Sequence, residues 1–403
     1  MEVAQGTPPV TQPLAVDVAI IGAGPAGSTL ASLLRMRGFS VALIDRDSFP
    51  RDKLCGEFLS YDALPIADAL GITPELDRKG SPLIRHCRMV GRHRTLAFDL
   101  PYPARGVSRM LLDDLLHRRA LDAGAMEVPA TATSVSADRV ETSAGPVSAS
   151  VVVGGWGRWG RFDTQLGRGF VRDQSHRNFG FKRHYRLATD WSESTPAETI
   201  DLHSFRGGYL GVNAIEGGLI NICGLVAARR LSGLRGKWDA FVDTLRTEEP
   251  SLDRLYESHT PAQEGFLSSE PVIFRARSAC ESGIVMIGDA SGVIDPLTGN
   301  GMAMAMQSAV LAAGAVSRIL DRPSHRPLVE QAYRAQHAAM FGRRIAWSRT
   351  IAFLLGRPPL LNAALASVRS SATGSFLVQR TRADREAIAR MVDAWMRGDA
   401  RPQ

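Results

Sequence analysis

The sequence has only four cysteines in 403 residues, and no two of them form a C-x-x-C pair. This scarcity argues against a zinc-binding module and a disulfide framework, and it fits a reducing cytoplasm. The sequence also lacks a run of about 20 apolar residues, so we expect no transmembrane helix. Residues 1–14 are polar and proline-rich, without a basic segment before an apolar core. They are predicted to form a flexible arm and not a signal peptide.

A dense basic block is missing as well. The net charge is +7 and the pI is about 9.6, but the arginines are spread along the chain. We therefore expect no nucleic-acid partner and at most a weak peripheral contact with acidic membranes. The segment IAWSRTIAFLLG, residues 345–356, is apolar but short. It is predicted to be a packed helix, with a membrane-surface contact as the alternative.

What the sequence does contain is a glycine-rich turn near its start. Residues 18–21 are apolar, as expected for a buried parallel strand, and Gly22, Gly24 and Gly27 follow with G-x-G-x-x-G spacing. The first glycine permits the turn, the second lets a pyrophosphate approach the backbone, and the third lets the helix pack on the strand. A helix from Pro25 would direct its N-terminal N–H groups at that phosphate.

A second apolar strand supplies the acid that completes this pattern. Residues 41–45 read VALID and end in Asp45, where a carboxylate can accept hydrogen bonds from ribose hydroxyls. Any tight strand-to-helix turn can produce a glycine triplet, but here strand, turn, helix, strand and acid occur in order. We therefore predict a dinucleotide site that includes Ala23, Ala26 and Arg46 beside the glycines.

A second glycine-rich segment lies far downstream, between residues 283 and 313. A short apolar strand ends at Gly288-Asp289, and an Ala/Met-rich helix begins near Gly301. Here the sequence resembles the superfamily of FAD-dependent group A monooxygenases, flavin halogenases and geranylgeranyl reductases. In that superfamily the matching Gly-Asp pair holds the ribityl chain and the helix points at the pyrimidine end of the flavin. The alternative is an ordinary corner in which Asp289 caps a helix.

The resemblance spans most of residues 15–320 and identifies the dinucleotide as FAD. Reduced flavin carries negative charge at N1 and O2, which a helix N-terminus stabilises. The resemblance also implies that an arginine at the start of the predicted helix over residues 107–123 reaches the FAD phosphates or the flavin edge. That arginine is Arg109. The downstream loop is implied to contribute Pro296, Gly299, Asn300, Gly301 and Met302.

The segment FPRDKLCGEFLS is similar to the loop that covers the flavin in this superfamily. Arg51 and Lys53 are candidates to pair with phosphate or reduced flavin, and Cys55-Gly56 would run close to the isoalloxazine ring. Glu57 is the candidate proton relay or substrate anchor. The alternative is a surface loop of mixed charge with a partly buried thiol.

Two segments depart from subfamily patterns. In VVVGGWGRWGRFD, Trp156 replaces the acid of the second glycine motif and Gly160 replaces its small hydroxyl residue, which puts NADPH use in doubt. Trp156 and Trp159 are expected to pack at a sheet edge. In GGYLGVNAIEGG the signature of prenyl reductases is missing, and GRWGRFD does not match that of halogenases. His184 is a second catalytic candidate, although a lone strand histidine is more often structural.

These observations predict an α/β protein. It has a Rossmann-like FAD-binding domain of the glutathione-reductase/hydroxylase type, an inserted β-sheet substrate domain and a helical C-terminal cap. The predicted FAD-binding domain comprises residues 15–86, 104–165 and 274–320, the substrate domain residues 87–103 and 166–273, and the C-terminal region residues 321–403.

The resemblance favours a monooxygenase-like enzyme that oxidises a small hydrophobic or aromatic compound through a flavin C4a-hydroperoxide. A reductase acting on a prenyl or lipid-like double bond, a halogenase, and a non-enzymatic module that binds apolar ligands stay as alternatives. NADPH or NADH is the candidate electron donor, and a separate flavin reductase is a candidate partner. No metal site is predicted, and the expected location is the cytoplasm.

Overall fold

The computed structural model describes residues 14–91, 94–158, 160–172, 178–187, 198–231, 237–269, 271–367 and 372–398. Residues 1–13 of the predicted arm and Trp159 lie outside this part of the chain. The strands are numbered along the chain as β1 (Leu14–Ile21), β2 (Val41–Asp45), β3 (Phe58–Leu59), β4 (Leu83–Val90), β5 (Thr95–Gly106), β6 (Met126–Pro129), β7 (Ala132–Val135), β8 (Arg139–Thr142), β9 (Gly145–Gly154), β10 (Asn178–Leu187), β11 (Thr199–Phe205), β12 (Gly208–Ala214), β13 (Ile220–Ala227), β14 (His259–Pro261), β15 (Leu267–Ser268), β16 (Arg275–Ala276), β17 (Cys280–Glu281), β18 (Ile284–Met286) and β19 (Gly292–Val293). The helices are α1 (Pro25–Arg35), α2 (Leu64–Ala69), α3 (Thr73–Arg78), α4 (Arg109–Asp122), α5 (Arg161–Gln165), α6 (Trp238–Glu248), α7 (Pro250–Glu257), α8 (Gly301–Asp321), α9 (Arg326–Leu355), α10 (Pro358–Ser367), α11 (Ala372–Arg380) and α12 (Arg385–Arg397).

The first sheet has β1 at its centre. Among the described residues it has eight strands in the order β17-β18-β9-β1-β2-β6, with β8 paired to β9 and β7 to β8. Strands β9, β1 and β2 run parallel. Val18 and Ile20 of β1 pack in the cluster that contains α1, α4 and α8, whereas Ala19 and Ile21 pack on the opposite face. A parallel sheet buried on both faces explains why these strands read as continuous apolar runs.

The elements predicted around the two glycine motifs are confirmed. α1 begins at Pro25, β2 ends at Asp45 and α8 begins at Gly301. The crossover from β1 through α1 to the parallel strand β2 is the mononucleotide-binding unit of a Rossmann-type fold. The carboxyl ends of β1, β2 and β18 therefore meet at one edge of the sheet.

The second sheet arises from two segments that are distant in sequence. In the described part of the chain it has nine strands in the order β14-β10-β13-β12-β11-β4-β5-β3, with β15 paired to β10. The first segment, predicted as residues 87–103 of the substrate domain, lies in a hairpin that is longer, since β4 begins at Leu83 and β5 ends at Gly106. β11 joins β4 in parallel and so unites the hairpin with the insertion. Helices α6 and α7 pack against an aromatic-rich cluster on this sheet.

The C-terminal helices cover both sheets. α9 packs along α8, α12 packs on α2, and α10 and α11 pack on the second sheet at β11 and β5. The Trp395 indole of α12 donates to the carbonyl oxygen of Leu33 at 3.1 Å. Of the helices that the structure describes, α8 is the one whose length and hydropathy would suffice to cross a membrane, and 72% of its apolar window is buried in the protein. The core helix of a globular domain has the same properties.

Candidate functional site

A cleft of about 830 Å³ lies between the two sheets. Its walls come from the β1–α1 turn, the end of β2, the loop that begins at Arg51, one face of β12 and the segment from Gly288 to Met302. The two glycine motifs and the loop predicted to cover the flavin thus face one cavity. Open α/β sheets bind their ligands at this position, outside the carboxyl ends of the strands.

The β1–α1 turn requires its glycines. Gly22 has a φ of +102°, and a Cβ atom there would lie 2.3 Å from the carbonyl oxygen of Gly155. A Cβ atom on Gly27 would lie 1.8 Å from the carbonyl oxygen of Gly22. Gly24 instead faces the cleft, where the nearest atom to its Cβ position is Nη2 of Arg109 at 3.9 Å. The turn is therefore closed by two glycines and opened to a phosphate by the third.

Asp45 is held where a ribose-binding carboxylate is expected. Its Oδ2 accepts a hydrogen bond from the backbone N–H of Ala23 at 2.7 Å, and its Oδ1 accepts one from Nη1 of Arg51 at 2.7 Å. Arg51 also pairs with Asp47, which in turn accepts from Nζ of Lys53 at 2.7 Å. Arg51 and Lys53 line the cleft, but in this structure their charges are paired with these carboxylates. Arg46 lines the same edge of the cleft and its side chain is largely exposed.

Arg109 lies at the first turn of α4 and lines the cleft beside Gly24. Its Nε and Nη2 atoms donate to both oxygens of Asp113 at 2.6 and 2.7 Å. Burial alone lowers the pKa of Arg109, but the Asp113 carboxylate raises it above its ordinary value. The side chain is therefore a fixed positive charge near the turn, as a phosphate contact requires.

The strongest buried ionic cluster lies directly behind the loop that covers the cleft. Glu57 is fully buried, and its Oε1 atom accepts from Nζ of Lys182 at 2.6 Å and from the backbone N–H of Arg109 at 3.0 Å. Its Oε2 atom lies 2.6 Å from Nε2 of His184. Lys182 is fully buried as well and also donates to Oδ1 of Asp52 at 2.5 Å. Burial lowers the pKa of Lys182, but Glu57 and Asp52 raise it above its ordinary value, so the lysine stays charged.

This cluster favours a positioning role for Glu57. The described walls of the cleft include Glu57 but neither Lys182 nor His184, so both partners lie on the far side of the loop. Glu57 has a φ of +53°, which is strained for a residue with a side chain. Its carbonyl oxygen accepts from the backbone N–H of Val107 at 2.9 Å. Direct catalysis by Glu57 or His184 remains a prediction.

Cys55 and Gly56 occupy the part of the loop that faces the cleft. The Cys55 sulfur accepts from the backbone N–H of Glu57 at 3.4 Å, and its carbonyl oxygen accepts from Nδ2 of Asn221 at 3.2 Å. Burial raises the pKa of the Cys55 thiol, so this thiol is neutral near pH 7. The backbone at Gly56 has open space where a side chain would be, which leaves room for a planar ring.

The glycine-rich segment that begins at Gly288-Asp289 forms the opposite wall. Gly288 has a φ of +57°, and a 3₁₀ turn over Gly288–Ala290 presents Asp289 to the cleft. After the turn, Pro296, Gly299, Gly301 and Met302 line the cleft. The side chain of Asn300 points away from the cleft entrance and donates to the carbonyl oxygen of Thr381. The first turn of α8 is thus directed at the cavity, as predicted for the pyrimidine end of a flavin.

Trp156 packs at the carboxyl end of the first sheet, as its sequence context suggests. Its ring lies 5.0 Å from that of Phe162, and its indole N–H donates to Asp163 at 3.3 Å. A Cβ atom on Gly154 or Gly160 would lie within 2.2 or 2.7 Å of the Trp156 ring. The glycines at positions 154 and 160 therefore leave the space that the Trp156 indole fills.

The substrate half of the cleft contains residues that sequence reasoning did not assign. Tyr209, Gly211 and Asn213 alternate along β12 and face the cleft together. The Tyr209 hydroxyl donates to Asp295, whose carboxylate also accepts from the backbone N–H of Leu297 at 3.1 Å. Burial raises the pKa of Asp295 to about 6, although these hydrogen bonds act in the opposite direction. The period-two spacing of the β12 residues was visible in the sequence, but the pairing of Tyr209 with Asp295 across 86 residues was not.

A smaller side pocket of about 60 Å³ adjoins this half of the cleft. The two cavities share the residues Phe58, Ile200, Leu202, Leu297 and Gly299. The far walls of the pocket come from the β4–β5 hairpin and the C-terminal part of the chain. They are mostly apolar, with Met89, Phe98, Leu100, Ile351, Leu377 and Val378, and they also include Thr381 and Arg382. Its volume is several times the roughly 10–15 Å³ that a water molecule occupies by the same measure.

Asp289 offers the sharpest test of the cofactor site. Replacing Asp289 with alanine should yield a protein that still folds, because the carboxylate is half-exposed in the cleft. The variant should purify largely without flavin, because it lacks the carboxylate that is predicted to hold the ribityl chain. Loss of hydrogen bonds to a charged group weakens binding by about tenfold to a hundredfold. The flavin absorbance relative to protein, with circular dichroism as the folding check, measures the effect. The control is Asp138→Ala, which removes an exposed carboxylate from the β7–β8 turn. A variant that stays yellow would contradict this placement of the cofactor.

Comparisons with known proteins agree with this geometry. The FAD binding domain family matches residues 15–182. The menaquinone reductase of Mycolicibacterium smegmatis is 28% identical over 371 residues, which covers 86% of this chain and 86% of that protein. The digeranylgeranylglycerophospholipid reductase 2 of Methanopyrus kandleri is 26% identical over 309 residues, or 71% of this chain and 73% of that protein. A solved flavin-dependent brominase superposes with a TM-score of 0.76 at 21% identity and covers 96% of this chain and 100% of its own. These findings confirm the predicted cofactor and fold, and the glycine cradle and Asp45 of this chain fit FAD.

Proposed function

We infer that this chain, an FAD-dependent oxidoreductase of the superfamily of group A flavin monooxygenases, flavin halogenases and geranylgeranyl reductases, reduces a carbon–carbon double bond of an elongated apolar compound. The side pocket beside the cleft carries this inference. A substrate whose reacting part lies in the cleft needs a second cavity only if the molecule extends further. Because the walls of the side pocket are mostly apolar, the part of the substrate that enters it would be a hydrocarbon chain.

The energetics of the pocket support an alkyl or isoprenoid extension. Each buried methylene group contributes about 0.8 kcal/mol to binding. Leu377 and Val378 of α11 and Phe98 of β5 provide branched and aromatic surface, and Arg382 is the one charged residue among the described walls. Away from Arg382 and the threonines beside it, a polar extension would lose its hydration without a compensating partner.

Two of the relatives point in the same direction. The menaquinone reductase of Mycolicibacterium smegmatis matches 86% of this chain and 86% of its own length, so the likeness extends beyond the FAD-binding segments into the substrate sheet. A second relative is named a reductase of geranylgeranyl lipids. Both names describe reduction of an isoprenoid compound, which is the chemistry that the cleft and its side pocket favour here.

Bound FAD would supply the electrons of this reaction. The chain itself would contribute binding and orientation: the β1–α1 turn and Asp45 would hold the nucleotide, and Asp289 and the first turn of α8 would face the flavin. The Glu57 cluster fixes the covering loop. Reduction of a double bond also needs a proton. The Tyr209 hydroxyl lines the substrate half and shares its proton with Asp295, so we assign this pair to proton supply.

A monooxygenase-like activity is the second candidate. The substrate half of the cleft has apolar walls at Ile200, Leu202, Leu225 and Phe274, and such walls exclude water from a reactive site. A small aromatic compound would fill the cleft and leave the side pocket unused. The size of the preferred substrate therefore separates the two candidates.

The experiment that tests the proposal follows the flavin absorbance without oxygen. NADPH and, in parallel, NADH are added to the anaerobic protein, and rapid bleaching would identify a donor that transfers hydride despite Trp156. Menaquinone or geranylgeraniol is then added, still without oxygen. A reductase should recover its oxidised absorbance and form, per flavin, one product molecule in which a single carbon–carbon double bond has been reduced.

Two results would reject the reductase. If the reduced flavin persists with both compounds until oxygen enters, and product then carries oxygen, the monooxygenase-like candidate is correct. If neither nicotinamide bleaches the flavin, dithionite reduction before the substrate step replaces the missing donor. Slow recovery after dithionite would still reject the reductase, whereas rapid recovery would support it and point to a separate flavin reductase as its partner.

A further inference from the structure

The C-terminal part of the chain has a charge distribution unlike the rest. Residues 322–403 contain fourteen arginines and five carboxylates, which gives +9, whereas the whole chain has +7. The preceding 321 residues are therefore slightly acidic, at −2. Between residues 331 and 383 there are eight arginines and no Asp or Glu. Arginines occur along the whole chain. Residues 331–383 are strongly basic because this stretch has no Asp or Glu to offset its arginines.

The same stretch exposes large apolar side chains. Phe353 on α9, Leu360 on α10 and Phe376 on α11 are 53%, 43% and 47% exposed. Trp347 on α9 is exposed to 37%. Six of the ten large hydrophobic residues that are exposed in the described chain lie on α9 to α12. Such clustering in one region marks an interaction surface, whereas scattered exposed residues do not.

The arginines are placed directly on these aromatic residues. The guanidinium of Arg357 lies 3.6 Å from the ring centre of Phe353, and that of Arg380 lies 4.8 Å from the ring centre of Phe376. Arg349 and Phe353 lie one turn apart on α9, and both are exposed. Arg357 follows just after α9, and its Nη1 donates to the carbonyl oxygen of Phe353 at 3.0 Å. Phe353 and Phe376 thus each have a cation at their side, as in helices that lie in the headgroup region of a bilayer.

The opposite faces of these helices line the side pocket. Ile351 of α9 and Leu377 and Val378 of α11 point into that pocket, while Phe353 and Phe376 point outward. The layer between the pocket and the surroundings is therefore one helix thick at these positions. A lipid-like compound in a bilayer would be separated from the pocket only by this layer.

We propose that Arg349, Phe353, Arg357, Leu360, Phe376 and Arg380, called here the docking face, bind the surface of an anionic lipid bilayer. The apolar side chains enter the acyl boundary, and the arginines contact lipid phosphates. The evidence for this face is its charge and its exposed side chains, so it does not depend on which reaction the cleft performs. A nucleic acid would use the arginines but would leave Phe353 and Leu360 without an apolar partner. A second copy of the chain would bring two strongly positive faces together.

Vesicle flotation of the full-length flavin-loaded protein tests this proposal. The protein should float with phosphatidylcholine vesicles that contain phosphatidylglycerol and float much less with phosphatidylcholine alone. Molar salt should release most of it, since screening weakens the contribution of the arginines. The double variants Phe353→Ser/Phe376→Ser and Arg357→Gln/Arg380→Gln should each bind at least about tenfold more weakly.

Matched controls lie on the FAD-binding side of the molecule. Met126→Ser removes an exposed apolar side chain from β6, and Arg118→Gln removes an exposed charge from α4. Both controls should float like the unaltered protein. Three outcomes would overturn the proposal: equal losses in the controls and the docking-face variants, dimerisation through this face without flotation, or retention of a DNA oligonucleotide in place of vesicles. Unaltered flavin absorbance in every variant ensures that the comparison concerns the folded protein.

Discussion

Replacing Lys182 with methionine should lower the free energy of unfolding by about 3–5 kcal/mol, because the Glu57 carboxylate would stay buried without its cation. The ammonium group lies 2.6 Å from Glu57 and 2.5 Å from Asp52, and both Lys182 and Glu57 are fully buried. Since the pKa of Lys182 is raised, the stabilisation is fully present at neutral pH and is lost only as the pH rises through that value. Urea unfolding at pH 7.5 measures the change.

The neighbouring strand position supplies the control. Arg183 lies on the opposite face of β10, pairs with the mostly exposed Asp239 and donates to the carbonyl oxygen of Gly265 at 2.8 Å. Arg183→Met leaves no buried charge unpaired and should cost about 1–2 kcal/mol, less than Lys182→Met. The double variant Lys182→Met/Glu57→Gln removes the unpaired charge and should recover part of the loss. Equal losses for Lys182→Met and Arg183→Met would mean that the cluster does not hold the covering loop in place. The unfolding experiment also separates positioning from catalysis, since a purely catalytic lysine would leave stability unchanged.

Local patterns made the nucleotide half of the site predictable. The G-x-G-x-x-G spacing, the apolar strand before it and Asp45 after it all act within about 30 residues, where the glycine conformations and the βαβ crossover are set by short-range sterics. The role of Gly288-Asp289 and of the start of α8 was instead expected from the resemblance to the flavin-dependent superfamily. At Gly22 and Gly27 the residue type is required by a turn that a side chain would obstruct.

Long-range pairing made the other half unpredictable. Lys182 and His184 reach Glu57 across 125 and 127 residues, and nothing near either strand residue in sequence reveals that partner. The signal that was available is alternation: Phe181 and Tyr185 belong to the aromatic cluster of the second sheet, so the residues between them at 182 and 184 face the other side. A lysine on a strand face that is not solvent-exposed demands a buried carboxylate, but the sequence does not say which one.

We expect opposite effects on stability at Asp295 and Lys182. Replacing Asp295 with asparagine should stabilise the protein near neutral pH. Burial raises the pKa of Asp295 from 3.8 to about 6, so the folded protein favours the protonated carboxyl. Stability from this group is fully present below pH 3.8 and is lost as the pH rises to 6, because the folded state then binds more protons than the unfolded state. The loss reaches about 3 kcal/mol above pH 6.

Asparagine keeps an oxygen that accepts from the Tyr209 hydroxyl and the Leu297 N–H, yet it never ionises. Asp295→Asn should therefore match the original protein in stability near pH 4 and exceed it by up to about 3 kcal/mol at pH 7.5. Tyr209→Phe is the informative comparison, since it keeps the buried carboxylate but removes a donor to it and should destabilise at pH 7.5. If Asp295→Asn lowers the unfolding midpoint at pH 7.5 as well, the ionised carboxylate is better solvated in the cleft than its burial indicates. A stabilised variant that also loses substrate turnover would show that the raised pKa is maintained for proton supply at the cost of stability.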